Sequence, residues 1–342
     1  MNGLPNHKGI DTQALSRLFI HTKTSYKYLL FQSLLSLLKD EAFKRSTFNF
    51  DELQQEMLKI SAYPIKVFKL RFGVQDEIYN ALDDGTINIV KYVPYRLLTP
   101  FFSRQLKGLS DYEKNPKIEK LSNEDNEYSA IYAIDGNEIN IYPEWLNYFE
   151  THYSIIEGWA FWHWVNYLQA KNPNALSLVN KLQKPSVRSS LLRQTEYWRV
   201  ILDTSSVKCI FSGDEIQPNK FSLDHFLPWS YIGHDQLWNL IPISQSVNSS
   251  KSNKIPSMNT YLDQFIDIQI LGLGSSYCEM SKIIWNNHVD DFVLGLNLES
   301  SDLVLDKALV RVKYKALITP LADIAGTMGF DTHWTYNKLE VT

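Results

Sequence analysis

The segment from Ser222 to Lys254 constrains this chain more than any other. It reads SLDHFLPWSYIGHDQLWNLIPISQSVNSSKSNK, and its pattern predicts a strand at 221–227, a second short strand at 240–243 and a helix at 244–251. Pro228 and Gly233 interrupt the apolar pattern between the strands. The segment is therefore expected to fold as a small strand–loop–strand–helix unit.

Polar residues suited to phosphodiester chemistry occur at defined intervals in this unit. Asp224 and His225 are adjacent, Asn239 lies fourteen residues after His225, and Asn248 follows nine residues later. Carboxylate and amide oxygens are ligands that Mg²⁺ prefers, and a histidine, with an unperturbed pKa of about 6.5, suits a base near neutral pH. On an ideal strand Asp224 and His225 point to opposite sides, so both serve one site only if the strand twists or ends there.

This arrangement resembles the HNH endonuclease family with its ββα-metal fold, in the variant whose last position is Asn. It is especially similar to the HNH domains of RNA-guided bacterial nucleases and of free-standing bacterial HNH proteins. The resemblance implies that Asp224 and Asn248 hold one Mg²⁺ or Mn²⁺ ion and that His225 is the general base. It also implies that Asn239 holds the loop of His225 in place and that Lys251 contacts substrate phosphate.

The resemblance extends over roughly 209–256, and the sequence departs from many relatives in one respect. Those relatives carry a structural zinc on two CxxC pairs, whereas here Ser212 stands where the partner of Cys209 would be and no second pair follows. No structural zinc is therefore expected, and the segment KCIFSGDEI is expected to be held by packing of Phe211, Ile216, Trp229 and Trp238. Only two cysteines occur, which argues against a disulfide framework and predicts a cytoplasmic location.

The net charge of −4 is unfavourable for binding nucleic acid, but the charge is unevenly distributed along the chain. From Lys181 to Lys254 there are nine Lys and Arg residues against six Asp and Glu. Candidate contacts to nucleic acid, besides Lys251, are Arg188, Arg193, Arg199, Asn253 and Lys254. For the arginines, salt bridges to acidic residues are an equal alternative, and His234 is expected to be an exposed loop residue.

Each site residue taken singly has an ordinary structural interpretation. His225 alone fits a buried structural histidine, Asp224 a cap or ion pair, and Asn239 an Asx-turn. Together, at family spacing, they predict a metal-dependent endonuclease that hydrolyses phosphodiester bonds of DNA in bacterial restriction or anti-phage defence, with protein partners of such a system. RNA stays open as a substrate. The alternative is a non-cleaving DNA-binding or partner-regulated interaction protein that retains the ββα fold.

For the whole chain the sequence predicts an α+β, mainly α-helical protein that carries a small ββα-metal core. The expected divisions are a mainly helical region at 1–184 with a β-hairpin near 128–142, the HNH domain at 185–256, and a helical region at 257–342. A long buried helix is expected at 143–169, a strand and turn at 87–102, and a surface loop at 109–126. No apolar run of about 18 residues occurs and the N-terminus lacks the pattern of a secretion signal, so neither a membrane span nor export is expected.

Overall fold

The computed structural model describes residues 3–20, 22–85, 87–124, 130–183 and 190–337. The chain divides into two compact units, Met1–Pro173 and Asn174–Thr342. Helices form most of the described structure and are accompanied by two small sheets, which agrees with the predicted α+β class. Within these ranges, none of the helices combines the length and the apolar character that crossing a lipid bilayer requires.

The described part of the first unit contains seven helices and three strands. In chain order they are α1 (Thr12–Leu15), α2 (Tyr26–Asp40), β1 (Thr47–Asn49), α3 (Phe50–Phe68), α4 (Ile78–Asp83), α5 (Val93–Leu98), α6 (Asp111–Glu124), β2 (Tyr132–Asp135), β3 (Glu138–Ile141) and α7 (Pro143–Lys171).

The predicted hairpin is confirmed by β2 and β3, which pair antiparallel from Tyr132 opposite Ile141 to Asp135 opposite Glu138. Gly136 takes a positive φ of 56° in the turn between them, a conformation that glycine adopts without strain. β1 adds to the other edge of β3 and completes an antiparallel sheet in the order β1–β3–β2.

The predicted long aromatic helix is also confirmed, because α7 spans Pro143–Lys171 with a break in helical geometry at His152. Its buried face includes Trp145, Tyr148 and Trp164, which pack in the core of the first unit. These three aromatic residues therefore serve packing, whereas Trp162 on the same helix is 62% exposed, so the expected burial of the aromatics all round the helix is wrong at that position.

Two local predictions are wrong. The stretch 87–102, expected to contain a strand, forms α5, where Pro94 occupies the first turn and is compatible with a helix start. The stretch 109–126, expected to be a loop, contains α6. Only Ile118 and Ser122 of α6 are buried, so it lacks an apolar stripe. Ser122 Oγ instead accepts from Ile134 N at 3.2 Å, which attaches α6 to β2 through polar contacts.

The described part of the second unit contains six helices, two strands and three short 3₁₀ turns. The helices and strands are α8 (Leu192–Thr204), β4 (Ser222–His225), α9 (Trp229–Ile232), β5 (Leu240–Ile243), α10 (Gln245–Lys251), α11 (Met258–Glu279), α12 (Lys282–Gly295) and α13 (Lys307–Thr327).

The strand–loop–strand–helix order predicted for 222–251 is confirmed by β4, β5 and α10. β4 and β5 pair antiparallel, with Asp224 opposite Ile241 and His225 opposite Leu240. One hydrophobic core combines α8, β5, α10, α11, α12 and α13. The rings of Phe226, directly after β4, and Phe265 of α11 stack at 4.1 Å between centroids. The helices after residue 256 thus complete the core on which the β4–β5 unit rests.

Candidate active site

Asp224 lies at the buried end of β4 and pairs with Lys251 of α10. The Lys251 Nζ atom is 2.9 Å from Asp224 Oδ2, and it donates a hydrogen bond of 2.7 Å to the His225 carbonyl oxygen. The Lys251 side chain has no exposed surface and that of Asp224 only 9%. This lysine therefore fixes α10 against the end of β4. The predicted contact of Lys251 with phosphate would require its ammonium to leave a buried ion pair.

His225 is the last residue of β4, and its imidazole contacts a different partner from that of Asp224. Its Nε2 atom is 2.8 Å from Oδ1 of Asp235, in the loop between the strands. The His225 side chain is 8% exposed and that of Asp235 is 20% exposed. The pair thus lies close to the surface. A carboxylate on one ring nitrogen orients the imidazole and favours the proton on that nitrogen.

Asn239 joins the two ends of the loop between β4 and β5 through side-chain hydrogen bonds. Its Oδ1 accepts from Leu227 N at 2.9 Å and its Nδ2 donates to Leu227 O at 2.8 Å. Asn239 is fully buried, and its own carbonyl accepts from Phe226 N at 2.8 Å. These three bonds fix the backbone directly after His225.

Asn248 lies on α10 one turn before Lys251, and its side chain is exposed. Residues three apart on a helix share a face, so Asn248 lies on the side of α10 that carries Lys251 toward β4. It is the accessible member of this face, whereas Lys251 is the buried one. Its cooperation with Asp224 in holding a metal ion stays a prediction.

The loop that carries Asp235 is braced by the surrounding helices. Gln269 of α11 is fully buried and donates to the carbonyls of Leu237, Trp238 and Leu240, at 3.3, 3.3 and 2.9 Å. The Tyr314 hydroxyl of α13 donates to the Trp238 carbonyl at 3.1 Å. The loop conformation therefore depends on helices that follow it in the chain.

His234, expected to be exposed, is half-buried, and its ring lies 5.5 Å from that of Trp238. Burial, with His225 nearby as the second cause, lowers the pKa of His234 to about 4. Lys181, in a 3₁₀ turn, is fully buried and donates to the Tyr231 carbonyl at 2.5 Å. Burial lowers the pKa of Lys181 to about 8. Both residues pack on the loop and help to hold it.

The predicted contacts to nucleic acid have different environments. Arg193 is engaged, because its Nη2 lies 2.6 Å from Asp291 Oδ2, and the same carboxylate oxygen accepts from Leu237 N at 2.9 Å. Arg199 and Asn253 are exposed and Lys254 is half-buried. The predicted contact at Arg188 lies outside the described residues. For all of them the role in binding stays a prediction.

The KCIFSGDEI segment is held by packing and hydroxyl contacts. Of its predicted core, Phe211, Ile216 and Trp238 are buried, whereas Trp229 is half-buried. The buried Cys209 Sγ accepts from Ser244 Oγ at 3.9 Å. Within the described parts of the chain, no group of three or more His, Cys, Asp and Glu residues is arranged to hold a metal ion.

Asp235 is the functional candidate that the sequence reasoning missed. It lies ten residues after His225, in the loop YIGHDQ, where the sequence offered only a turn. Gly233, with φ at 81°, ends α9 and turns the chain toward β5, which places Asp235 beside His225. A carboxylate two residues after a loop glycine is the available signal, and it is weak.

Residues 209–257 match the family model described as HNH endonuclease. Neither the curated proteins nor the solved structures compared with this chain gave a match. The family match contains β4, β5 and α10 together with Asp224, His225, Asn239, Asn248 and Lys251. It confirms the predicted resemblance to HNH endonucleases for this segment.

Proposed function

We propose that the protein is a metal-dependent endonuclease that hydrolyses phosphodiester bonds of DNA, with β4, β5 and α10 as a ββα-metal core. The observation that carries this proposal is the pairing of His225 with Asp235 at 2.8 Å, one residue after Asp224 on β4, within the segment that matches the HNH family model. The positioned imidazole of His225 can act as a base, and the carboxylate of Asp224 can act as an oxygen ligand of a metal ion.

The site has donors that suit Mg²⁺ or Mn²⁺. Asp224 Oδ2 faces the Lys251 ammonium at 2.9 Å, and because a carboxylate has about four acceptor positions on its two oxygens, it retains capacity for a metal ion. Asn248 would add an exposed amide oxygen on α10. One carboxylate and one amide leave several positions for water and phosphate, as Mg²⁺ prefers. Bound there, the ion would stabilise negative charge on the phosphate and on the leaving oxygen.

His225 is proposed as the general base. With the Nε2 proton directed to Asp235, Nδ1 is the nitrogen with a free lone pair. It takes a proton from water as the water oxygen bonds to phosphorus, and the bond between phosphorus and the 3′ oxygen breaks. The leaving oxygen takes a proton from solvent, which gives 3′-hydroxyl and 5′-phosphate ends. Asp235 is a positioning residue in this scheme, and so is Asn239, which fixes the backbone after the base.

Lys251 is proposed to position Asp224 rather than to bind phosphate. Its amine is fully buried and engaged by Asp224 and by the His225 carbonyl. Contacts to the DNA backbone are assigned to Arg199, Asn253 and Lys254, whose side chains have solvent access. The cytoplasmic location and the place in restriction or anti-phage defence, with its protein partners, stay predictions.

The direct test is nicking of supercoiled plasmid in Mg²⁺ or Mn²⁺ and in EDTA. We expect His225→Ala to reduce the rate by about 100-fold or more, since a general base contributes at least that much. Asp235→Asn should reduce kcat while DNA binding, measured by gel shift, stays unchanged. Matched controls are His333→Asn and Asp290→Asn, which alter exposed residues of the same unit.

The outcomes separate the alternatives. If His225→Ala cleaves as fast as the parent, the assigned base is wrong. Salt-dependent DNA binding without cleavage in either metal, unchanged by His225→Ala, would instead support the non-cleaving binding protein. A parallel arm with single-stranded and duplex RNA tests the choice of substrate.

A further inference from the structure

A second candidate site lies in the first unit and is formed by residues of that unit alone. A cavity of about 580 Å³ opens between the segment before α2, the start of α2, α5 with the turn after it, and the start of α6. This volume falls within the usual range of small-molecule pockets. It is therefore large enough to hold a ligand with several polar groups.

The cavity concentrates positive charge in a chain whose net charge is −4. Five cationic side chains and one carboxylate line it: Arg17, Lys23, Lys27, Arg96, Lys114 and Asp111. The carboxylate is shared, because Asp111 Oδ1 lies 3.3 Å from Arg96 Nη1 and 3.1 Å from Lys114 Nζ. Arg17, Lys23 and Lys27 form no ion pair with any described residue. The lining thus carries a positive excess that an anion would neutralise.

The half-buried ammonium of Lys27 is in an unfavourable environment in this cavity. Its ammonium donates to the Leu18 carbonyl at 3.3 Å, and burial, followed by the charge of Arg96, lowers the pKa of Lys27 to about 8. Holding a half-buried ammonium near a guanidinium is unfavourable unless a negative group offsets both charges. A bound anion would provide that group.

The remaining lining suits the uncharged part of a nucleotide. Tyr92 lines the cavity with 53% of its surface exposed, so its ring is accessible. An accessible aromatic ring is a platform on which a base can stack. Thr24, Thr99 and Ser103 add hydroxyl groups that can donate to phosphate or sugar oxygens.

We propose that this cavity binds a free nucleotide, with the phosphates on Arg17, Lys23 and Lys27 and the base against Tyr92. The cations line one pocket of about 580 Å³, whereas a nucleic acid strand requires a cationic groove that follows several phosphates, so a free nucleotide is favoured over a strand. The proposal does not depend on the nuclease site, which lies in the other unit.

The test is direct binding to the full chain in EDTA, which keeps metal-dependent cleavage out of the measurement. The probe is fluorescent N-methylanthraniloyl-ATP, followed by anisotropy and displaced by ATP, GTP, CTP and UTP in turn. The cavity variant Arg17→Gln/Lys23→Gln changes two exposed residues and should retain the fold. Its matched control is Lys44→Gln/Lys66→Gln, which removes two exposed charges outside the cavity.

We expect the cavity variant to bind the probe at least tenfold more weakly and the control variant to bind within twofold of the parent. Adenosine and tripolyphosphate should each displace the probe at least tenfold less well than ATP. Equal binding by the parent and the cavity variant overturns the proposal, as does failure of all four nucleotides at millimolar concentration. Tripolyphosphate as effective as ATP, or displacement by a ten-nucleotide oligothymidylate alone, overturns the assignment to a free nucleotide.

Discussion

The substitution Lys251→Met tests whether the buried pair at β4 organises the site. It keeps most of the side-chain volume but removes the ammonium that lies 2.9 Å from Asp224 and bonds the His225 carbonyl. With 0% of Lys251 and 9% of Asp224 exposed, solvent screens the pair little. Removing one partner of a buried ion pair costs about 3–5 kcal/mol, because the remaining charge is left uncompensated. We expect a loss of this size from the free energy of unfolding of the second unit.

The assay combines urea unfolding with hydrogen exchange of peptides from 222–251, since two compact units need not unfold together. A double-mutant cycle with Asp224→Asn isolates the pair, and we expect Asp224→Asn/Lys251→Met to lose less stability than the sum of the single variants. A loss below about 1 kcal/mol for Lys251→Met, with unchanged exchange at β4, would refute the reasoning. The ammonium would then be free in solution to contact phosphate, as the sequence predicted.

Three further predictions concern packing, capping and pH. A Cβ at Gly295 would clash with the Trp238 ring, so Gly295→Ala should cost about 1–3 kcal/mol in thermal or urea unfolding. Gly274→Ala, with open space around it, should be neutral or stabilising. Asn49 accepts from the third amide of α3 in a capping box, and Asn49→Ala should cost the first unit about 1 kcal/mol in urea unfolding. Because His234 has a folded pKa of about 4, the folded chain binds fewer protons than the unfolded chain between about pH 4 and 6.5. Stability should therefore fall as pH drops through this range, by at most about 1.4 kcal/mol per unit, and His234→Gln should flatten the slope measured by urea titration. An unchanged slope would contradict a neutral, half-buried His234, and an equal cost at Gly295 and Gly274 would contradict the packing of Trp238 on Gly295.

The elements around the candidate site could be predicted because their signals are local. Apolar residues on both sides of Asp224 and His225 mark β4, a short apolar run marks β5, and Pro228 and Gly233 mark the loop. The hairpin of β2 and β3 was equally local, with a turn that requires glycine at position 136. Where chain neighbours determine the structure, the pattern sufficed.

The parts that could not be predicted depend on contacts distant in sequence. α6 has no apolar stripe, and it is attached by Ser122 to the backbone of β2. The position of Asp235 depends on α11 and α13, whose Gln269 and Tyr314 hold the carbonyls that follow it. Lys251 has the composition of an exposed helix end, and only the packing of α10 on β4 buries it. No local pattern encodes these contacts.

Asp224 and His225 are adjacent at the end of β4, and each side chain has its own partner of complementary charge or hydrogen bonding. Side chains next to each other on a strand face opposite ways, and here Asp224 is balanced by Lys251 while His225 is balanced by Asp235. Because Lys251 offsets the charge of Asp224 and Asn248 is neutral, this side of the site offers a divalent cation little net negative charge. The phosphate of a substrate would supply what is missing, together with further oxygen ligands. On the proposed function, cation and nucleic acid therefore strengthen each other's binding by the same factor, as linkage requires, and the buried lysine keeps Asp224 oriented until both arrive.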